Sequence, residues 1–336
     1  MVSPTDDIKQ VKEASKDNLL AMQNVVGVGV GYQTKGGEQT GNYAIVVMVT
    51  RKLPLPALAP NAILPKNVDG VTIDVIEVGE LRALQARTDR WRPAPGGISI
   101  GHYKITAGTF GAIVRDKKSG DRLILSNNHV IANSNDADPG DQVLQPGPID
   151  GGSPDVDTIA HLDRFCPIEF ATEPGICDIA DTYASLGNAV AGLLGSKHRV
   201  NTQQSDPQAV NLVDAALAKP INDSDVLDEI LEIGNIEGSE EGLLGMSIRK
   251  SGRTTSFTTS QINLINATVD VNYGSDRTAR FENQFVSGPM SQGGDSGSLL
   301  VAGDSQHAVG LLFAGSNQST IFNPIQAVLD CLEVNI

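Results

Sequence analysis

The segment Gln292-Gly-Gly-Asp-Ser-Gly-Ser298 holds the residue types that a nucleophilic hydroxyl needs. A serine oxygen attacks when it is presented at a tight turn, with backbone N–H groups free to take up the charge developing on the attacked carbonyl. Glycines on both sides of Asp295-Ser296 permit that turn and keep side chains out of a substrate's way. A serine also needs a base, and His129 in Leu125-Ser-Asn-Asn-His-Val-Ile131 is a polar site at the end of an apolar strand. Asp214 interrupts a second apolar strand, Asn211-Leu-Val-Asp-Ala-Ala-Leu-Ala218, and could orient that base. Alone, the histidine reads as a surface or core residue and the aspartate as an Asx turn or edge residue. Together they run in the order His, Asp, Ser, with about eighty residues between members.

That order is the chain order of the chymotrypsin-type triad, and the three motifs resemble those of the trypsin-like superfamily. Ser-Asn-Asn-His-Val is most similar to its HtrA-like side. Lys250-Ser-Gly-Arg-Thr-Thr-Ser-Phe-Thr-Thr259, with Gly294-Asp-Ser-Gly-Ser-Leu-Leu300, resembles the plant NARROW LEAF type and its bacterial relatives. The resemblance runs from about Gly96 to the C-terminus and is specific at the motifs. It implies a mostly β chymotrypsin-like fold, two six-stranded Greek-key barrels with the site between them. It also implies a serine endopeptidase acting through an acyl-enzyme. Ser296 would be the nucleophile, His129 the base and Asp214 its orienter. The N–H groups of Gly294 and Ser296 would form the oxyanion hole.

The resemblance further puts Met290, six residues before the nucleophile, at the base of the primary pocket. Leu312, Phe313, Ala314 and Gly315 would form the other wall. An apolar floor disfavours Lys or Arg at the cleavage position, because a desolvated cation would lack a partner. Small or medium apolar side chains are expected instead. In processed relatives the residue matching Asp295 pairs with a newly made N-terminal amine. No activation sequence is evident near Pro95-Gly-Gly-Ile98, so a local hydrogen-bonding role is expected. A rival reading is a catalytically quiet trypsin-fold scaffold for peptide binding or assembly, against which the intact triad speaks.

Three regions must position these groups. Residues 1–86 read as a small α+β domain. A helix follows Thr5-Asp6 with Ile8, Val11, Ser15, Leu19 and Met22 on its period, and strands follow over 24–32, 43–49 and 71–78. This domain matches no superfamily motif and would serve as propeptide, oligomerisation module or autoinhibitory lid. Residues 87–97 read as a linker, with Arg90 or Arg92 as exposed candidate cleavage sites. The first barrel spans 98–222, interrupted over 147–208, where Ile179, Tyr183, Leu186, Val190 and Leu194 predict a helix. A capped helix or loop over 223–242 connects the halves, and the second barrel spans 243–336. Asn323-Pro324 predicts the cap and first turn of a terminal helix carrying Ile325, Val328, Leu329 and Leu332.

Composition sets the outer limits. Abundant glycine and scarce aromatics in 336 residues favour short strands and tight turns over a helical bundle. A formal net charge of −15 argues against nucleic acid and anionic membranes as partners, and the resemblance implies a protein or peptide substrate. A homo-oligomer stays open. No secretory signal or membrane-spanning run is visible, and three cysteines are too few for a disulfide framework. A reduced cytoplasmic protein is the expectation, with a Cys166–Cys177 pair the alternative. The acidic cluster Asp223, Asp225, Asp228 and Glu229 lacks the EF-hand pattern, and the histidines show no metal spacing. Neither a metal nor a cofactor is expected.

Overall fold

Strand pairing defines the architecture of the computed structural model, which describes residues 5–336 apart from 55, 57, 59–61, 80, 82–84, 175–176, 207 and 275. The chain divides into two units, Met1–Gln85 and Ala86–Ile336. In the first, the hairpin Val25–Lys35 with Glu38–Val49 is extended by Val71–Glu77 in parallel and by Asn67–Val68 at the edge. Helix Asp6–Leu20 packs Ile8, Val11 and Leu19 onto Ile45, Val47 and Val49. An apolar helical stripe against an alternating sheet is the simplest α+β core.

The second unit contains two closed barrels. The strands of the first are Ser99–His102, a bent pair Gly108–Thr109 and Ala112–Asp116, Arg122–Ser126, Gln142–Leu144, Thr158–Phe165 and Ala216–Pro220. Counted in chain order, they pair one-two-three-six-five-four and back to one. The strands of the second are Ser247–Gly252, Ser256–Gly274, Arg277–Ser287, Leu299–Ala302, His307–Gly315 and Thr320–Pro324. They close in the same order. Closure removes the unpaired edges that an open sheet would expose. The unit is a double Greek-key barrel of the chymotrypsin type.

The unbroken apolar runs follow from burial on both faces. Ile124, Ala216 and Ala218 fill the first barrel. Their neighbours Leu123, Leu125, Ala215 and Leu217 point the other way, into a core shared with Leu299, Leu311 and the terminal helix Ile325–Cys331. A strand buried on both faces shows no polar alternation.

Several connections differ from expectation. Residues 87–97 are no solvated linker. Ala94–Gly96 forms a parallel strand beside Val226–Ile230, and Arg92 donates to Gln145 Oε1 at 2.7 Å. Arg90 Nε donates to Asp157 Oδ1 at 3.0 Å. Residues 223–230 form a single 3₁₀ turn and that strand, with Arg122 paired to Asp228 at 2.5 Å. Helix Asp178–Leu193 forms as its stripe predicts, but Ile179, Tyr183, Leu186 and Val190 stay exposed. Cys166 is bonded to Cys331, leaving Cys177 free and exposed.

Candidate active site

Each polar residue of Ser126-Asn-Asn-His129 has a separate task at the end of the third strand. Ser126 Oγ donates to the Thr109 carbonyl at 2.8 Å, across the first barrel. Asn127 Nδ2 donates to the Asp214 carbonyl at 2.6 Å. Asn128 Nδ2 donates to Asn135 Oδ1 and to the Cys166 carbonyl, both at 2.8 Å. The chain then makes one helical turn, Asn128–Ile131, that presents His129 at the surface of the barrel. Its Nδ1 lies 2.6 Å from Asp214 Oδ2, and its backbone N–H donates to Asp214 Oδ1 at 3.2 Å. An ionised carboxylate only accepts, so Nδ1 carries the proton and Nε2 presents its lone pair.

Asp214 sits two residues before strand Ala216–Pro220, so it precedes the strand instead of interrupting it. Its side chain is fully buried. The second barrel supplies two further contacts. Asn323 Oδ1 accepts the Asp214 N–H at 3.0 Å, and the Tyr273 hydroxyl donates to Asp214 Oδ2 at 2.8 Å. Asn323 therefore serves Asp214, and Pro324 takes the cap position predicted for Asn323.

Ser296 belongs to the second barrel and is pinned to the first. The Thr109 N–H donates to the Ser296 carbonyl at 2.7 Å. Gly297 has φ +94°, and a Cβ there would stand 2.3 Å from Ser126 Oγ and from the Thr109 carbonyl. Glycine is thus required both for conformation and for the approach of the two barrels. A Cβ at Gly108 would be 2.5 Å from Val130 and 2.8 Å from the Ser296 carbonyl, so the histidine turn and the serine loop meet there. Ser296 Oγ donates to the Phe313 carbonyl at 3.4 Å. Among the described residues it makes no hydrogen bond to His129.

The carbonyls before Ser296 are occupied. Thr254 Oγ1 donates to the Gly293 carbonyl at 2.8 Å, and Thr109 Oγ1 to that of Gly294 at 2.9 Å. The N–H groups of Gly294 and Ser296 donate to none of the described residues, as donors reserved for an incoming oxyanion would. Asp295 turns inward and accepts from the N–H groups of Thr254 at 2.8 Å, Thr255 at 3.1 Å and Gln292 at 3.0 Å. Lys250 Nζ stands 3.3 Å from its Oδ2. Burial raises the Asp295 carboxyl, but Lys250 and these donors outweigh it and hold the group below its ordinary range.

A cleft of about 440 Å³ opens beside Ser296, lined by Ser291, Gln292, Gly293, Leu312, Ala314, Gly315, Ser316 and Asn317. Leu312, Ala314 and Gly315, which the sequence assigned to a pocket wall, line this cleft, whereas Met290 and Phe313, assigned to the same pocket, do not. Met290 is buried with Ile248, Ile262 and Phe322 inside the second barrel. Phe313 packs against Phe281, in a cluster apart from that of Leu312. Among the described residues no cluster of three or more His, Cys, Asp or Glu could hold a metal ion.

The sequence reading gave no role in the site to Lys250, Thr254, Thr255 or Tyr273, and only that of a helix cap to Asn323. A signal existed for Lys250, which shares the inward face of Ser247–Gly252 with Ile248, where a lysine is costly unless something charged awaits it. Thr254, Thr255, Tyr273 and Asn323 carry no such local sign.

No protein-family model and no curated protein matches the chain by sequence. In structure it is similar to a glutamic acid specific serine protease with a histidine triad in substrate binding. That match has 18% identity and a TM-score of 0.45, covering 72% of this chain and 100% of the other. It is similar to the Nocardiopsis protease NAPase at 15% identity and a TM-score of 0.45, covering 72% and 98%. Thermobifida fusca protease A gives 15% identity and a TM-score of 0.44, again covering 72% and 98%.

Proposed function

We propose that this protein is a serine endopeptidase that cleaves peptide bonds through an acyl-enzyme. One observation carries the reading: the turn holding a histidine bonded to a buried aspartate on one barrel meets, at Gly108, a serine loop of the other whose two N–H groups donate to none of the described residues. A scaffold that only binds peptides has no use for that arrangement.

In the proposed reaction Ser296 leaves the Phe313 carbonyl and gives its proton to His129 Nε2 as Oγ attacks the substrate carbonyl. Asp214 stabilises the imidazolium, and the N–H groups of Gly294 and Ser296 bind the oxyanion, each contributing about 3 kcal/mol. His129 then protonates the leaving amine, and a water activated by the same base hydrolyses the acyl-enzyme. Control by the first unit extends the proposal, and a chain beginning at Ala86 with higher activity than the full chain would support it.

A fluorophosphonate probe tests the chemistry. Labelling of the wild type and none of Ser296→Ala or His129→Ala is the expected result. A folded wild type that stays unlabelled favours the scaffold.

A further inference from the structure

The bonds to the buried Asp214 carboxylate can be counted. Oδ1 accepts the His129 N–H at 3.2 Å. Oδ2 accepts two donors, His129 Nδ1 at 2.6 Å and the Tyr273 hydroxyl at 2.8 Å. Tyr273 does not come from the barrel that carries this pair. It is the penultimate residue of Ser256–Gly274, on the long hairpin of the second barrel. Its ring stands edge-on to His129, with centroids 5.8 Å apart, and edge-on to Phe170 at 5.7 Å. It also meets Phe281, which packs on Phe313, the residue whose carbonyl accepts Ser296 Oγ. One side chain thus reaches the base and its orienter, and through two rings the nucleophile's hydrogen-bond partner.

We infer that Tyr273 is a positioning residue for the His129–Asp214 pair, its hydroxyl fixing Oδ2 in line with Nδ1 while its ring shields the pair from water. This rests on the peptidase reading above. Without Tyr273 the carboxylate would be held only by its two bonds to His129 itself, and a base displaced from line transfers protons poorly. A second donor on the same oxygen also draws off negative charge, so Asp214 stabilises the imidazolium less than a carboxylate bonded to histidine alone. Burial, with Asp214 beside it, pushes the phenol well above its ordinary value, so it stays a donor across the working range. On neighbouring elements Arg277 lies over the Phe170 ring that Tyr273 meets edge-on, and is paired with Asp136 at 2.7 Å.

Tyr273→Phe keeps the ring and removes the donor, so it separates packing from positioning. Two readouts are needed, the rate of fluorophosphonate labelling and the titration of the His129 ring followed by NMR. Labelling is expected to slow roughly ten-fold, as loss of a hydrogen bond to a charged group would cause. The His129 midpoint is expected to rise by roughly 0.5–1 unit, because Asp214 then holds the imidazolium more strongly. An unchanged rate and midpoint in a folded variant would overturn the role. If the wild type itself is not labelled, the peptidase reading fails, and the titration alone decides. A raised midpoint then supports positioning, and an unchanged one overturns it. Should Tyr273→Phe not fold, 3-fluorotyrosine incorporated throughout the chain strengthens the donor and is expected to lower the midpoint, while no movement overturns the role.

Discussion

Lys250 Nζ stands 3.3 Å from Asp295 Oδ2 with both side chains fully buried, one residue from the proposed nucleophile. The amine is that of an internal lysine, on a strand of the same barrel. A buried charge pair adds little net stability, but removing one partner strands the other. Lys250→Met should therefore cost about 3–5 kcal/mol and slow labelling at Ser296. Adding Asp295→Asn should recover part of the loss, since asparagine can still accept from Thr254 and Thr255. Urea unfolding of the single and double variants decides, and equal stability of Lys250→Met and wild type would refute the role.

How far the sequence disclosed this site depends on whether a feature is local. The Ser126–His129 and Gly293–Ser298 motifs were readable because the residue types of a presented histidine and of a tight serine turn stand side by side in the chain, although their bonds run to distant Thr109, Asp214 and Cys166. The strands around Leu123–Leu125 and Ala215–Ala218 were readable because two-sided burial leaves unbroken apolar runs. Contacts made only when the barrels close were not. Lys250 is 45 residues from Asp295, and Tyr273 is 59 from Asp214. Cys166 is 165 from Cys331. Asn323 looked like a helix cap because Asn-Pro is a good one, yet its side chain is spent on Asp214 and Gln284. Met290 was placed by counting back from the nucleophile, and counting does not fix which way a side chain points.

A second histidine should govern stability at mildly acidic pH. His102 is fully buried, with Nε2 3.1 Å from Asp141 Oδ2 and Nδ1 accepting the Lys104 N–H at 3.3 Å. These bonds fix a neutral ring with its proton on Nε2. Burial lowers its pKa, and Asp141 offsets this only in part. A folded pKa below the unfolded one means that the unfolded chain takes up the extra proton first. The stabilisation is whole above the unfolded value and is lost as pH falls towards the folded one. Unfolding free energy should thus drop as pH falls below about 6.5. In His102→Leu that limb should flatten, and urea titrations giving the same slope in both proteins would contradict the assignment.

The Cys166–Cys331 bond ties the end of a first-barrel strand to the terminal helix, with Cα atoms 6.3 Å apart. Thiol counting on unreduced, denatured protein should find one reactive group, Cys177. Cys331→Ser should lower stability by roughly 2–5 kcal/mol. Three free thiols in protein alkylated before lysis would support the cytoplasmic expectation. One free thiol would point to an oxidising compartment instead.

The cleft beside Ser296 sets the last expectation. Among the described residues no acidic side chain lines it, so a lysine or arginine entering it would be desolvated without a counter-charge. Among peptide substrates that vary only at the cleavage position, small and medium uncharged side chains should be cut best. Basic ones should be slower by roughly a hundred-fold or more. Gly315 supplies a way to separate the pocket from the chemistry. A Cβ there would lie 3.0 Å from the Ser319 carbonyl and 3.1 Å from Ser291 Oγ, so it reaches across towards the facing wall. Gly315→Val should raise KM for medium side chains roughly ten-fold while a small fluorophosphonate still labels Ser296 at nearly the wild-type rate. If Gly315→Val leaves the substrate preference unchanged, or if basic side chains are preferred by the wild type, this cleft is not the primary pocket.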